Sequence, residues 1–293
     1  MGVAKEEVLK VAGERGTARA TDGYALALTR FTSGEPVAGT VLLAGAMGVP
    51  QDFYFPFAGY LAEHGFHALT FDYRGMGESR PATLRGFEAD VTRWAERDLE
   101  AMLHEAQRAA PAAPLFVLGH SLGGQILGIT PGNAGVHAAI TVTAGSGYYR
   151  YNDRIPGRVR FLWFVAMPLL TRLFGYFPGR RLRMVGDLPR GVARQWRSWC
   201  LHPEYLLAEG EASRAAFARV TTPILGYSFE DDDLITRPAI DHLHSFYRNA
   251  TVERRHLRPE DAGESRIGHF GYFSGRSRDT LWKDTLAWMR ARL

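Results

Sequence analysis

The sequence of 293 residues has one cysteine, Cys200, and almost no lysine. A single cysteine excludes an internal disulfide and a cysteine metal cluster, and it is typical of a reducing compartment. Lysine occurs only at Lys5, Lys10 and Lys283, so arginine carries nearly all the positive charge, and the net charge of +4 is mild. No stretch interleaves basic and aromatic residues in the way nucleic-acid-binding modules do. The sequence therefore predicts no nucleic-acid partner.

The sequence also shows no pattern typical of a signal peptide, a membrane-spanning helix or a metal site. Residues 1–10 carry Lys5, Glu6 and Glu7 without an apolar core, so no secretory signal is expected. The apolar run at 161–170 contains Pro168 and is shorter than the about 20 residues a bilayer-spanning helix needs. The histidines show no metal-ligand spacing, so we expect neither a metal nor another cofactor. These points together predict a cytoplasmic protein.

What the chain does contain is a regular alternation of short apolar runs and amphipathic patterns. The runs predict two strands within about 16–31, joined by a turn at 21–23, and further strands at 40–44, 66–71, 115–118, 138–143, 223–228 and about 251–256. The helical patterns cover about 51–64, 88–109, 237–247 and 278–292. This order indicates the α/β class, with a mostly parallel sheet of about eight strands and helices on both faces.

One predicted strand is followed directly by a motif that is typical of a nucleophilic serine. Residues 115–118 are apolar, Gly-x-Ser-x-Gly follows at 119–123 with Ser121 at its centre, and a helix start comes next. A serine on such a sharp turn exposes its hydroxyl above the sheet, and glycines on both sides avoid a collision across the turn. The alternative interpretation is a turn that only packs a helix on the sheet. A nucleophilic serine would also need a histidine base and an acid.

Candidates for both partners lie downstream of Ser121. An acidic cluster, residues 231–233, follows the late strand at 223–228, although it could also be a solvated turn that caps a helix. His269 lies between glycines in the loop after the last strand and before the C-terminal helix, and no other histidine is placed in this way. His120, inside the elbow, is expected to pack or form a hydrogen bond there. The order Ser, acid, His predicts a nucleophile with its base.

At these residues the chain resembles the α/β-hydrolase superfamily over nearly its whole length. The resemblance is carried by residues 119–124, by the stretch Asp-Tyr-Arg-Gly-Met-Gly-Glu-Ser at 72–79, by the cluster 231–233 and by residues 268–271. Within the superfamily, residues 44–54 are similar to a bacterial group of hydrolases related to the serine aminopeptidase and monoacylglycerol-lipase-like branch. The resemblance implies an α/β-hydrolase fold with a core of 1–146 and 216–293 and a helical cap, 147–215, inserted before the late strands.

The resemblance also assigns roles within the site. Asp232 fits the spacing of the triad acid best, because Leu234 and Ile235 follow as an apolar pair; Asp231 and Asp233 are the alternatives. The oxyanion hole requires two backbone N–H donors. They are expected from Leu122, after the nucleophile, and from Ala46 in the loop after the third strand, with Met47 as the alternative. The sequence departs from the family at Ala44, where the usual histidine of this loop is absent, so another group must hold the loop.

The cap segment bears on the substrate. Phe161, Trp163 and Phe164 are predicted to line an apolar pocket above Ser121, although the same run could simply be the core of the cap. The arginines of 147–215 make the segment basic, which is compatible with peripheral membrane contact. The sequence therefore predicts a serine hydrolase that cleaves an apolar acyl ester through an acyl-enzyme. A thioesterase, an amide hydrolase or an acyltransferase would use the same triad, and a non-catalytic binding protein is the alternative of another class.

Overall fold

A computed structural model describes residues 11–34, 36–182 and 184–293, and it contains one large β-sheet with helices on both faces. The expected absence of a signal at 1–10 lies outside these residues. The strands are β1 (Glu14–Arg19), β2 (Ala25–Phe31), β3 (Gly39–Ala44), β4 (Phe66–Phe71), β5 (Leu115–His120), β6 (Ala138–Val142), β7 (Tyr176–Phe177), β8 (Leu188–Pro189), β9 (Ile224–Phe229) and β10 (Val252–Leu257).

Ten α-helical segments connect or follow the strands. They are α1 (Phe55–Glu63), α2 (Val91–Arg93), α3 (Glu100–Ala109), α4 (Leu122–Ile126), α5 (Pro156–Phe161), α6 (Met167–Phe174), α7 (Arg190–Leu201), α8 (Glu211–Arg219), α9 (Arg237–His244) and α10 (Leu281–Arg290) within the described residues. Wider π-helical turns, Trp94–Leu99 and Leu162–Ala166, join α2 to α3 and α5 to α6. Each of these pairs therefore forms one continuous helix.

The eight-stranded sheet has the order β1-β2-β4-β3-β5-β6-β9-β10. β1 pairs antiparallel with β2, and β2 pairs antiparallel with β4, while all the other neighbours are parallel. The predicted sheet of about eight mostly parallel strands is confirmed. Because parallel strands end at the same edge, the loops after β3, β5 and β9 come together there, which is where open α/β sheets place their sites.

The central strands are mostly apolar because both faces of the sheet are covered. In β3, Val41 and Leu43 pack on one side with Phe57 of α1, whereas Leu42 and Ala44 pack on the other. Alternate side chains of a strand point to opposite faces, so a strand covered on both sides loses the usual alternation of apolar and polar residues. The core is therefore two layers, one on each face of the sheet.

The predicted helices exist, but their ends differ from the predicted ones. The helix expected at 51–64 starts with a 3-10 turn, Gln51–Tyr54, before α1. The helix expected from 88 begins at Val91, because the Asp90 side chain caps it by accepting a hydrogen bond from the Arg93 amide at 2.7 Å. The last helix begins only at Leu281, after a separate 3-10 turn.

Residues 147–215 contain more than the short helices that were predicted. Two-residue strands, β7 and β8, pair antiparallel in a small second sheet. Helix α8 crosses the predicted boundary between 215 and 216, so the division into core and cap stays a prediction. The segment touches the loop after β3 backbone to backbone: a Cβ added to Gly48 would lie 2.4 Å from the amide nitrogen of Gly186. Only glycine permits this approach.

Candidate active site

Ser121 lies between β5 and α4 in a strained backbone conformation. Its φ is 49° and its ψ is −113°, a combination that residues with side chains rarely adopt. The neighbouring glycines are required by space, since a Cβ on Gly123 would lie 2.1 Å from the carbonyl oxygen of Ala44 and one on Gly119 would lie 2.5 Å from the backbone of Gly124. Backbone strain of this kind is concentrated at functional sites. The local geometry is that of a nucleophile elbow.

His269 is oriented by Asp232. The His269 Nδ1–H donates to Asp232 Oδ2 at 2.8 Å, and both side chains are buried. The other carboxylate oxygen, Oδ1, accepts from the amides of Leu234 at 2.8 Å and Ile235 at 3.0 Å, so the carboxylate cannot rotate freely. A proton held on Nδ1 leaves Nε2 as the basic nitrogen of the ring. The apolar pair after Asp232 thus supplies the amides that fix the carboxylate.

Asp231 and Asp233, the neighbours of Asp232, form other contacts. Asp231 accepts hydrogen bonds from the amides of Ile267 and Gly268, both at 2.9 Å, and so holds the loop that carries His269. Gly268 has a φ of 59°, a conformation that suits glycine. Asp233 is exposed, and its carbonyl oxygen accepts from the side chain of Asn152. Of the three acids, the structure brings Asp232 to the imidazole.

Ser121 and His269 line the same cavity, which has a volume of about 230 Å³. Trp163 and Leu162 lie on its wall, as do Ala46 and Met47. Phe161 and Phe164, which the sequence predicted here, are not among its lining residues; they are 60% and 51% exposed. The reason is helical geometry: positions 161 and 164 fall on the outward side of a helix whose inward side carries Trp163.

The loop after β3 is held by Tyr54, which the sequence analysis did not identify. The buried Tyr54 hydroxyl accepts a hydrogen bond from the Ala46 amide at 2.8 Å. The Ala46 amide is therefore already paired. Among the described residues the Met47 amide has no acceptor, and the Leu122 amide stands in the first turn of α4, where no acceptor exists within the helix. Tyr54 thus holds the loop in which Ala44 stands where the resemblance implies a histidine.

Two hydrogen bonds connect the Tyr54 hydroxyl to the loop of His269. Tyr54 O–H donates to His120 Nδ1 at 2.9 Å, and His120 Nε2–H donates to the carbonyl oxygen of His269 at 2.9 Å. A carbonyl can only accept, so the proton of His120 resides on Nε2. Burial lowers the pKa of His120 well below its ordinary value, which keeps the ring neutral. His120, at its place in the elbow, forms hydrogen bonds as predicted, and its partners are Tyr54 and His269. Thr143 Oγ1 donates to the same carbonyl at 3.4 Å.

We expect Tyr54→Phe to lower the free energy of unfolding by about 1–3 kcal/mol, because it leaves the buried Ala46 amide and His120 Nδ1 without partners. Tyr60→Phe, on the helix α1 that follows Tyr54, is a matched control, since the buried Tyr60 hydroxyl has no hydrogen-bond partner among the described residues. Urea unfolding of the two variants measures the difference. Equal losses in both would show that the Tyr54 hydrogen bonds do not stabilise the fold.

The stretch at 72–79 supports the site from outside the cavity. Asp72 is buried, and its carboxylate accepts from the amides of Gln51 and Glu78, both at 2.9 Å. Burial raises the pKa of Asp72, and these two amides oppose that effect. A Cβ on Gly77 would lie 2.2 Å from the carboxylate. The stretch therefore ties the start of the turn Gln51–Tyr54 to the end of β4 and contributes no wall to the cavity.

The chain is similar in sequence and in fold to known hydrolases. A sequence model of the serine aminopeptidase family S33 matches residues 35–160. The monoglyceride lipase of Saccharomyces cerevisiae is 36% identical over 92 residues, which are 31% of this chain and 29% of the yeast enzyme. The chain thus spans less than a third of the length of the curated relative it matches.

The solved structures match over almost the whole chain. A soluble variant of the same yeast lipase, in complex with a substrate analogue, has a TM-score of 0.67 at 17% identity and covers 99% of both chains. A carboxyl esterase from Bacillus coagulans has a TM-score of 0.66 at 14% identity, over 96% of this chain and 99% of that one. The mouse alpha/beta hydrolase domain-containing protein 10 has a TM-score of 0.60 at 12% identity, covering 94% and 98%. These likenesses concern the fold.

Proposed function

We propose that this chain, an α/β-hydrolase similar to the monoacylglycerol-lipase-like branch, is a serine hydrolase that cleaves acyl esters through an acyl-enzyme. One observation carries the proposal. Ser121 in its strained turn and His269, hydrogen-bonded to Asp232, line one cavity. Lipases and esterases among the structural neighbours support an ester as the substrate. A small-molecule acyl substrate is the partner that such a site requires.

In the proposed mechanism the Ser121 hydroxyl attacks the ester carbonyl while His269 Nε2 takes its proton. Asp232 holds the Nδ1–H and stabilises the imidazolium that forms. The tetrahedral oxyanion accepts from the Leu122 amide and a second amide of the loop after β3. Because the Ala46 amide is paired with Tyr54, the geometry favours Met47 as the second donor. His269 then protonates the leaving alcohol. In the second step His269 takes a proton from the water that attacks the acyl-enzyme, and it returns this proton to the Ser121 oxygen as the acid leaves.

The cavity favours an apolar acyl group. Residues from the proposed cap, 147–215, form much of its wall, among them Val159, Leu162, Trp163 and Trp196. Buried apolar walls with a few fixed polar groups are typical of sites for small organic ligands. We therefore place the acyl chain between this segment and Ser121. The chain length at which kcat/KM begins to fall would report the depth of the cavity.

A fluorophosphonate probe tests the proposal without knowledge of the natural substrate. We expect stoichiometric labelling of Ser121, located by peptide mass spectrometry, and none of Ser146, a second serine on the cavity wall. A panel of p-nitrophenyl esters, matched thioesters and anilides then distinguishes ester, thioester and amide hydrolysis. Addition of alcohol acceptors tests for acyl transfer, because a transferase would form a new ester. A protein that binds these compounds but is neither labelled by the probe nor active on the panel would be a non-catalytic binding protein.

A further inference from the structure

Gln125 is a buried polar side chain on the wall of the cavity, one helical turn after Ser121. Its amide donates to the Ser121 carbonyl oxygen at 3.1 Å, and one turn of an α-helix rises about 5.4 Å. The side chain is 3% exposed and lines the cavity together with Ser121 and His269. Buried polar atoms in proteins almost always have hydrogen-bond partners, so both ends of this carboxamide require one.

The carbonyl end of the carboxamide has its partner in Tyr205, which begins the 3-10 turn Tyr205–Glu209. Tyr205 O–H donates to Gln125 Oε1 at 2.7 Å. Burial raises the pKa of Tyr205 well above its ordinary value, although the Trp196 side chain and the Gly147 amide, which face the hydroxyl oxygen, oppose this effect. Since N–H groups face that oxygen, its own proton is directed to Gln125, and the atom that accepts it is Oε1.

Tyr205 makes this contact from a strained backbone position. Its φ is 52°, an outlier for a bulky side chain. The ring also packs so closely on Gly147 that a Cβ there would lie 3.0 Å from Cε2 of the ring. Among the described residues other than glycine, positive φ occurs at Tyr205, at Ser121 and at Thr143, whose Oγ1 donates to the carbonyl oxygen of His269. Such strain persists only where the surroundings fix it and is concentrated at functional sites.

The nitrogen end of the carboxamide, Nε2, has no hydrogen-bond acceptor among the described residues. It is not one of the fully enclosed polar atoms, so it can be reached from the cavity. The wall is mostly apolar and comes largely from residues 147–215, and no described helix is long and apolar enough to cross a membrane, as predicted. A carboxamide nitrogen only donates, and a carboxylate would lose its hydration against such a wall, so the matching group is a neutral oxygen.

We propose that Gln125 is a specificity-determining residue, which donates from Nε2 to a neutral oxygen of the substrate a few bonds from the scissile carbonyl. Under the proposed function, on which this role rests, the preferred esters carry a hydroxyl, ether or carbonyl oxygen in addition to the ester group. A plain hydrocarbon ester would leave the buried donor unpaired, and sites built to bind an oxygen discriminate against analogues that lack it. Tyr205 acts through Gln125 as a positioning residue, because it holds the carboxamide in this orientation.

Paired substrates test this role. In one series, p-nitrophenyl octanoate is compared with analogues in which a single methylene of the acyl chain is replaced by an ether oxygen or a carbonyl. In a second series the same replacement is made in the alcohol part of hexyl octanoate. Each kcat/KM is divided by the rate constant for base hydrolysis of the same ester, which removes differences in intrinsic reactivity. We expect one position at which the oxygen raises this corrected value by about tenfold or more, and the series in which it occurs shows which part of the substrate Gln125 binds.

Gln125→Met should remove this preference, because methionine has a similar length and no donor. The double variant Gln125→Met/Tyr205→Phe removes both hydrogen-bonding partners, so it should also lose the preference and keep the fold if Gln125→Met alone does not. Leu162→Ala is the control on the same wall: it should lower kcat/KM for both members of a pair and leave their ratio unchanged. Circular dichroism and thermal unfolding verify the fold of each variant.

Binding measurements separate this role from catalysis. Ser121→Ala protein is titrated with the same ester pairs by calorimetry, and the dissociation constant should be about tenfold lower for the oxygenated member unless Gln125→Met is also present. This binding preference without turnover by the unmodified protein would support the role of Gln125 and contradict the proposed hydrolase. Turnover with no preference at any position, or a preference that Gln125→Met leaves intact or Leu162→Ala removes equally, would overturn the role of Gln125 and leave the proposed hydrolase standing. No preference in either assay would overturn it as well.

Discussion

Ser121→Ala is expected to lower kcat for a p-nitrophenyl ester by about 10⁴-fold or more, because no other group lies in the strained turn between β5 and α4 to form the acyl-enzyme. The residual rate would come from the oxyanion donors and substrate binding alone. Alanine and serine adopt a φ of 49° at comparable cost, so the melting temperature should change little. Steady-state kinetics with thermal unfolding on the same samples measures both.

Ser213→Ala is the matched control for Ser121→Ala. Ser213 is as buried as Ser121, at 9% exposed, and lies on α8 away from the cavity lining. The control should keep nearly full kcat. If Ser121→Ala retained more than about one per cent of the activity in freshly purified protein, the nucleophile would have to be sought elsewhere.

Asp232→Asn is expected to lower kcat by about 10³- to 10⁴-fold, the scale of loss when a triad histidine is held in the wrong tautomer. An asparagine amide can present its N–H₂ to His269 Nδ1, which moves the ring proton to Nε2 and removes the base. Asn is nearly the same size as Asp, so the packing around the side chain is preserved. Kinetics over a range of pH, compared with those of the unmodified protein, measure the loss.

The two neighbouring acids make a graded comparison for Asp232→Asn. Asp231→Asn weakens the hydrogen bonds to the Ile267 and Gly268 amides, so we expect a loss of stability of about 1–2 kcal/mol and less than a hundredfold fall in kcat. Asp233→Asn alters an exposed side chain and should behave like the unmodified protein. A larger fall in kcat for Asp231→Asn than for Asp232→Asn would transfer the role of triad acid to Asp231.

The strands and the elbow were predictable from the sequence because each rests on a local requirement. A strand covered on both faces is largely apolar, and residues 40–44, 66–71 and 115–118 are short, largely apolar runs of this kind. The turn at Ser121 needs glycines next to it. His269 could be chosen among the histidines because it alone lies in a glycine-bounded loop between the last strand and the last helix. The choice of Asp232 depended on the apolar pair after it, whose amides now hold its carboxylate.

The parts that could not be predicted depend on contacts between distant segments. Nothing near Ala44 indicates that a tyrosine ten residues later holds the loop through the Ala46 amide. The distinction between Ala46 and Met47 as donors depends on that one contact. The outward direction of Phe161 and Phe164 depends on how the helix 156–174 lies on the core, whereas the apolar run alone was compatible with either direction. Helix ends differed where a side chain, such as Asp90, determined the first turn.

The close approach of Gly48 to Gly186 connects two parts of the proposed site. The loop after β3 carries the amides of Ala46 and Met47, and the segment it touches belongs to residues 147–215, which form much of the cavity wall. Under the proposed function, replacement of residues 147–215 alone would therefore disturb the loop that we propose stabilises the oxyanion. Under the proposed function, a chimera that replaces residues 147–215 should keep its activity only if a glycine stays at position 186 opposite Gly48. A change in the substrate pocket would then also change the rate of the chemical step.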